Sequence, residues 1–402
     1  VCCLSEMMNW PGVLRRDPGV MEKIGLATRL GRPVDGHAPG LQGAEAAAYA
    51  GAGISTDHEC VSLAEARDKI AAGMHVLIRE GSAARNFDTL HPLIAEAPDR
   101  VMFCSDDKHP DDLLRGHVNQ MVRRAVAAGH DLFDVLDCAW SNPIAHYRLP
   151  LGRLRPGDPM DAVQVPDLRG FEPARVWLGG ELVARDGGPL LPHRAAPPVN
   201  RFHARPLVPE DLRLPPVRGA VRVIGVEDGS LVTRELRLQP RRQQGRPLAD
   251  PERDQLLICV VNRYRPEPPA VALVQGFGLR RGAIASSVAH DSHNIVGVGA
   301  DPAALCAAVN RIIECRGGVA VATGADVEIL PLPVAGIMSD GDGRRVGHEY
   351  ARLDRLARDL GSPLAAPFMT LSFMALLVIP ELKLSDRGLF DGRAFRLVEL
   401  AV

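Results

Sequence analysis

Five short apolar runs within the first 147 residues each end on a side chain able to bind a metal or carry a proton, and this recurrence restricts the fold more than any other feature. VCCLSE reaches Glu6, PVDGH reaches His37, GISTDH reaches His58, HVLIRE reaches Glu80 and VMFCSD reaches Asp106, at intervals of 31, 21, 22 and 26 residues. A parallel strand needs a crossover of a dozen or more residues before the next one, so these intervals predict repeated strand, loop and helix units. The intervening segments fit helices. SLAEARDKIAAG puts Leu63, Ala66, Ile70 and Ala71 on one face and stops at Gly73, while NFDTLHPLIAEA and DDLLRGHVNQMVRRAVAAG read similarly, the latter ending at Gly129. Polar side chains at the C-terminal ends of consecutive parallel strands form the rim of a (β/α) barrel, so the fold class is α/β. A complete barrel has eight such units, and the five visible here predict about three strands upstream of Val1. Val1 in place of an initiating Met reads as a cut through a larger protein, and a partial barrel would leave open sheet edges.

Beyond NPIAHY the texture changes, which sets residues 1–148 apart as the barrel part. Residues 149–191 carry short strands punctuated by Gly and Pro, with a two-residue turn at Gly179 and Gly180, and read as a small β-module. Residues 192–218 are rich in Pro and Arg, a linker by composition. Residues 219–402 begin an α+β domain with strands near VRVIGVE, DQLLICVVNRY, AVALVQGF and GAIASSVA and a helix near PAALCAAVNRIIECRGG. The uncharged stretch 361–380 is long enough to raise a membrane span, but Pro363, Pro367, Thr370 and Ser372 favour a buried core helix. GDGRRVG, near Gly341, lacks both the GxGxxG spacing and the Lys of a phosphate loop and reads as an exposed loop.

Charge then narrows the partners. Lys and Arg total 47 against 49 Asp and Glu, a net charge of −2, which lacks the basic footprint of a general nucleic-acid or membrane-surface binder. The eight cysteines are scattered with no CxxC pair, so neither a zinc module nor a disulfide framework is signalled, and a reducing, cytoplasmic compartment fits.

Glu6, His37, His58 and Asp106 would point into one rim if the barrel holds. Two imidazoles and two carboxylates there make a site for one or two divalent metals, which bring the pKa of water near neutrality. An Asp beside that water can take its proton and return it to a leaving group. Glu80 is a further rim carboxyl, able to protonate or hydrogen-bond a ring nitrogen of a bound substrate, or to pair with Arg79 or Arg85. Arg79, Ser82 and His109 are lesser candidates for contact with a substrate or with the residues that hold the metal. AHDSHN, with His290, Asp291 and His293, lies between apolar runs as a loop, either a turn bonding its own backbone or a functional segment.

EMMNWPGV, GRPVDGHAPG, AGISTDHE, IREGSAARN, SDDKHPDDL and SNPIAHY, followed by SSVAHDSHNIVGVG, LPLPVAGIMSD and PFMTLSFMALLVIPELKLSDRGLFD, resemble in this order the bacterial adenine deaminases of the amidohydrolase superfamily. The resemblance runs over essentially the whole chain. It implies Glu6 as a bridging ligand, His37 and His58 as the next two, and Asp106, in preference to Asp107, as the last ligand and proton carrier. The family's first-strand HxH has no counterpart here. The resemblance further implies a divalent metal pair, manganese or iron, and adenine as a small-molecule substrate of a homo-oligomeric purine-salvage hydrolase. It also favours substrate contact by His290, Asp291 and His293. A mixed His and carboxylate set would also accept zinc. Two rivals remain at this stage: opening of a cyclic amide in the manner of dihydroorotases or hydantoinases, and an inactive fragment lacking the first metal ligands. The zinc nucleobase deaminases are excluded, because no PCxxC is present.

Overall fold

In a computed structural model, residues 2–82, 84–194, 197–324 and 326–402 are described. Val1, which opens the first apolar run, and Ala195 and Ala196 of the Pro-rich stretch lie outside them. The chain divides into two compact units, Val1–Lys108 with Arg115–His193, and His109–Leu114 with Arg194–Val402.

The first unit opens with β1 (Leu4–Met7), α1 (Trp10–Leu14), α2 (Pro18–Arg29), β2 (Val34–Gly36), α3 (Gly43–Gly51), β3 (Thr56–Asp57), α4 (Leu63–Ala71) and β4 (His75–Arg79). It continues through α5 (Phe87–Leu90), α6 (Leu93–Glu96), β5 (Val101–Cys104), α7 (Pro110–Arg115), α8 (Val118–Ala127), α9 (Leu132–Leu136) and α10 (Asn142–Tyr147), with most of α7 belonging to the second unit. β1 pairs with β2, and β3 with β4 and β4 with β5, all in parallel. Between the two sets, the Ser55 N–H donates to the Val34 carbonyl at 2.9 Å and Thr56 Oγ1 donates to Asp35 Oδ1 at 2.8 Å, so β2 and β3 are laced by loop and side-chain bonds. Helices cap as the sequence directs: Asp17 accepts from Gly19 and Val20, and Ser62 accepts from Glu65.

Two expected helices are broken. NFDTLHPLIAEA splits into α5 and α6 around His91 and Pro92, since Pro92 has no N–H to donate back to the Asp88 carbonyl and continue the ladder. The segment ending at Gly129 splits at Gly116, whose φ of 142° lies far from the helical region and separates α7 from α8. The β-module follows as β6 (Ala162–Gln164), β7 (Arg175–Leu178), β8 (Glu181–Arg185) and β9 (Gly188–Pro189), an antiparallel sheet in that order. Gly179 and Gly180, at φ 57° and 87°, make the β7–β8 turn, as a tight hairpin requires.

The second unit is built on an eight-stranded sheet. Its elements are β10 (Val221–Gly225), β11 (Arg234–Leu238), a small hairpin of β12 (Arg242–Gln243) and β13 (Arg246–Pro247), then β14 (Leu256–Val261), β15 (Ala270–Gln275), β16 (Ala283–Ser286), β17 (Ile295–Gly299), α11 (Pro302–Cys315), β18 (Gly318–Ala322) and β19 (Val327–Pro331). The strand order is β11-β10-β15-β14-β17-β16-β18-β19, antiparallel except for β10 beside β15. LLICVV of β14 is buried throughout, which is why it reads as a continuous apolar run and not an alternating one. Phe202, Leu207, Leu212 and Leu214 of the Pro-rich stretch are buried in this core with Leu305, Val309 and Ile312 of α11, so those residues pack as part of the unit instead of tethering it.

α12 (Gly343–Asp359) begins within GDGRRVG, where a loop was expected; Asp342 accepts from the Arg344 and Arg345 N–H groups and starts the helix. The uncharged stretch 361–380 forms the short buried α13 (Pro367–Ser372) and a following single turn, and among the described residues no helix is long and apolar enough to cross a membrane. β20 (Leu382–Ser385), β21 (Gly388–Asp391) and β22 (Arg396–Leu397) close the chain as a small antiparallel sheet.

Lys383 on β20 is 0% exposed and donates to the Leu231 carbonyl at 2.9 Å. Burial pulls its ammonium from an ordinary 10.5 down to about 7. Between those values the unfolded chain holds more protons at this position than the folded one, so its contribution to stability rises with pH. The melting temperature of the unsubstituted chain should therefore gain on that of Lys383→Met as the pH is raised from 7 to 10. A gap constant across that window in thermal melts would refute this.

Candidate metal centre

Each of the parallel strands β1 to β5 delivers a polar residue within it or just past its end. Glu6 lies in β1 itself, His37, His58 and Glu80 directly follow β2, β3 and β4, and Asp106 comes two residues after β5. Asp106 adopts φ 50°, a left-handed conformation that Asp tolerates better than most residues, and its Oδ1 accepts the Asp107 N–H at 2.7 Å. Gly36 is forced by proximity, because a Cβ there would stand 2.3 Å from the Thr56 carbonyl oxygen. Tyr49, fully buried on α3, donates to the Met7 carbonyl at 2.7 Å and accepts from the His37 N–H at 3.1 Å, tying β1 to the loop after β2.

The four expected ligands converge. Glu6 Oε2 is 3.0 Å from His58 Nε2, Glu6 Oε1 is 3.6 Å from His37 Nδ1, and His58 Nε2 is 3.7 Å from Asp106 Oδ2. The imidazole centroids are 5.3 Å apart at 76°. A fifth residue, which the sequence reading passed over, joins them: Glu59 Oε1 lies 3.5 Å from both His37 Nδ1 and His58 Nε2. Its signal was the last letter of TDHE, a carboxylate adjoining a rim histidine.

Glu6, His37 and His58 form one set of potential ligand atoms, and His58, Glu59 and Asp106 another, each within 4.8 Å of one another. Ligand atoms held by one cation at about 2.1 Å stand roughly 3–4 Å apart, so both sets suit a divalent ion with little movement. His37 Nδ1 is buried without a hydrogen-bond partner, and a cation would satisfy it. Imidazole and carboxylate together fit manganese, iron or zinc.

Electrostatics support the same fit. Burial opposes ionisation of Glu6, yet the neighbouring imidazoles of His37 and His58 outweigh it and hold the carboxyl well below its usual range. Burial likewise opposes a charge on His58, but the hydrogen bond to Glu6 and the charges of Glu6, Glu59 and Asp106 raise it to about 9. The site is short of positive charge and recruits it from an imidazole.

Arg79, a candidate for contact with a substrate or with the residues around the metal, bonds two carboxylates of the site: its guanidinium donates from Nη1 to both Glu59 and Asp106 and from Nη2 to Glu59 Oε2 at 3.2 Å. Glu80 accepts from Arg124 Nη1 at 2.5 Å and from the Phe87 N–H at 3.3 Å, with the Arg124 guanidinium 4.2 Å over the Phe87 ring. Ser82 donates its backbone N–H to the Asp107 carbonyl at 2.9 Å. His109, His290, Asp291 and His293 belong to the second unit. There His109 bonds the Tyr350 hydroxyl at 3.0 Å, and burial pushes it down to about 4. His290 stacks on Phe373 at 4.7 Å, 5.9 Å from His293, and Asp291 is 3.8 Å from His290 Nδ1.

The first unit and its centre have the marks of the amidohydrolases: the family profile of that name matches residues 4–183, and it implies a divalent metal. A profile described as the adenine deaminase C-terminal domain matches residues 230–396. An adenine deaminase of Salinibacter ruber is 53% identical over 398 residues, 98% of this chain and 73% of the relative. Those of Sulfurovum sp. and Methanosarcina mazei are 51% and 47% identical, over 98% and 99% of this chain and 73% and 74% of the relatives. The chain belongs to the adenine deaminase family.

Arg79 compensates two carboxylates, one of them almost fully enclosed. Arg79→Leu should therefore destabilise the chain by roughly 3–5 kcal/mol, the usual result of stranding one partner of a buried pair, measurable by urea denaturation. A loss below about 1 kcal/mol, the range of exposed pairs, would contradict this account.

Proposed function

We propose that the chain catalyses hydrolytic deamination of adenine to hypoxanthine and ammonia, as an enzyme of purine salvage in the cytoplasm. The observation that carries this reading is the double ligand set around His58, in a chain about half identical over nearly its whole length to adenine deaminases. We further propose that the five parallel strands form part of a (β/α) barrel rim, which the lacing of β2 to β3 supports.

Glu6, His37 and His58 would hold one divalent ion, and because His58 Nε2 has a lone pair for one ion only, Glu59 and Asp106 are the carboxylates left for a second, manganese or iron being the pair the family favours. Such ions supply Lewis acidity and bring the pKa of water near neutrality. Asp106 accepts the proton of the water attacking C6 and delivers it to the departing amine, so that water and adenine balance hypoxanthine and ammonia. Arg79, bonded to Asp106 Oδ2, holds that carboxylate in place throughout. Glu80, which the sequence offered as an acid toward a ring nitrogen, is ion-paired with Arg124 and is better suited to accept a purine N–H than to donate.

The test is ammonia release from adenine by the chain loaded with Mn2+ or Fe2+. Turnover is expected with adenine and none with dihydroorotate or hydantoin, and Asp106→Asn should lower kcat by about 10²–10⁴-fold. Ring opening without adenine turnover would replace this reading with the cyclic-amide one, and inactivity toward all three would favour an inert scaffold.

A further inference from the structure

Next to the loops that carry His37 and His58 lies a group of charges that the proposed reaction does not use. Lys69 and Glu65 on α4 and Asp57 of β3 are each 0% exposed. Lys69 Nζ donates to the Ala38 carbonyl at 2.7 Å and to Glu65 Oε1 at 2.8 Å, and lies 3.2 Å from Asp57 Oδ1.

The two carboxylates bond backbone beside the metal-ligating residues. Asp57 Oδ2 accepts the Ala38 N–H at 2.8 Å and its Oδ1 accepts the Glu59 N–H at 2.8 Å. Glu65 Oε1 accepts the Gly40 N–H at 2.8 Å and its Oε2 the Val61 N–H at 3.1 Å. Ala38 follows His37, Asp57 precedes His58, and Glu59 follows it. Every loop bond of the group therefore runs to one of the two segments that present the imidazoles.

Apolar side chains of similar volume usually stabilise a core as well as a buried ion group, so stability alone gives little reason for one here. Directional bonds do what apolar packing cannot: they fix one loop against the other. We propose that Lys69 is a positioning residue, its ammonium clamped by Asp57 and Glu65 so that the loops after β2 and β3 keep the separation His37 and His58 need to share a divalent cation. This inference rests on the metal centre proposed above.

Manganese titration of the 402-residue chain, read from the EPR signal of free Mn2+ with circular dichroism as the control for folding, tests it. Folded Lys69→Met should bind Mn2+ roughly 10–100-fold more weakly, the usual effect of removing support behind a metal ligand. Glu65→Gln keeps the ammonium but loses one charged acceptor; it should weaken binding by a smaller factor, and it decides the matter if Lys69→Met does not fold. Asp68→Asn removes the charge from an exposed contact of the same helix to the Gly43 N–H and should leave Mn2+ binding unchanged. Unaltered Mn2+ affinity in folded Lys69→Met or Glu65→Gln, or an equal loss in Asp68→Asn, overturns the positioning role and leaves the metal centre standing. Absence of Mn2+ binding by the unsubstituted chain overturns both.

Discussion

The first unit is organised around an excess of negative charge at His58 Nε2. Glu6, Glu59 and Asp106 all approach that nitrogen, and one guanidinium, from Arg79, answers two of them. Carboxylates crowded together in a site mostly closed to water cost free energy unless cations meet them. The protein meets part of that demand by raising His58 to about 9 and leaves His37 Nδ1 without a hydrogen bond. A divalent ion answers both conditions at once, which is why this arrangement suits hydrolysis by activated water better than it suits a packed core.

The backbone explains how residues so far apart in sequence meet. Parallel strands start on the same side and end on the same side, so the residue after each strand arrives at a common edge. β2 and β3 each end immediately before a histidine, and β1 runs through Glu6. Between strands, Tyr49 and Lys69 bond main-chain groups beside the ligands, so the helices hold the loops as well as cover the sheet. The close approach of Gly36 to Thr56 shows how little slack these loops have.

Some of this was legible beforehand, and the reasons differ by residue. Glu6, His37, His58 and Asp106 stood out because strand-end chemistry recurs at crossover spacing. Glu59 was hidden behind His58: on a regular strand neighbouring side chains point to opposite faces, and only the loop after β3 turns both toward the cation position. Arg79 stood open between substrate contact and support of the ligands, since the sequence does not say which groups a rim guanidinium meets, and the structure puts it on Glu59 and Asp106. Lys69 gave no signal, since in SLAEARDKIAAG it reads as a helix-surface cation, and its burial depends on where α4 packs.

By itself, then, the sequence determined the alternation of apolar strands with helices, the tight glycine hairpin, the central apolar strand of the second unit and the residue types available for metal chemistry. These are local properties, set by periodicity, turn chemistry and the identity of each side chain. Tertiary structure alone decided which carboxylates face which imidazoles and which charged groups are buried. Those outcomes depend on distances between residues 20 to 50 positions apart, and a charge acquires its meaning from the partners that packing brings within a few ångströms.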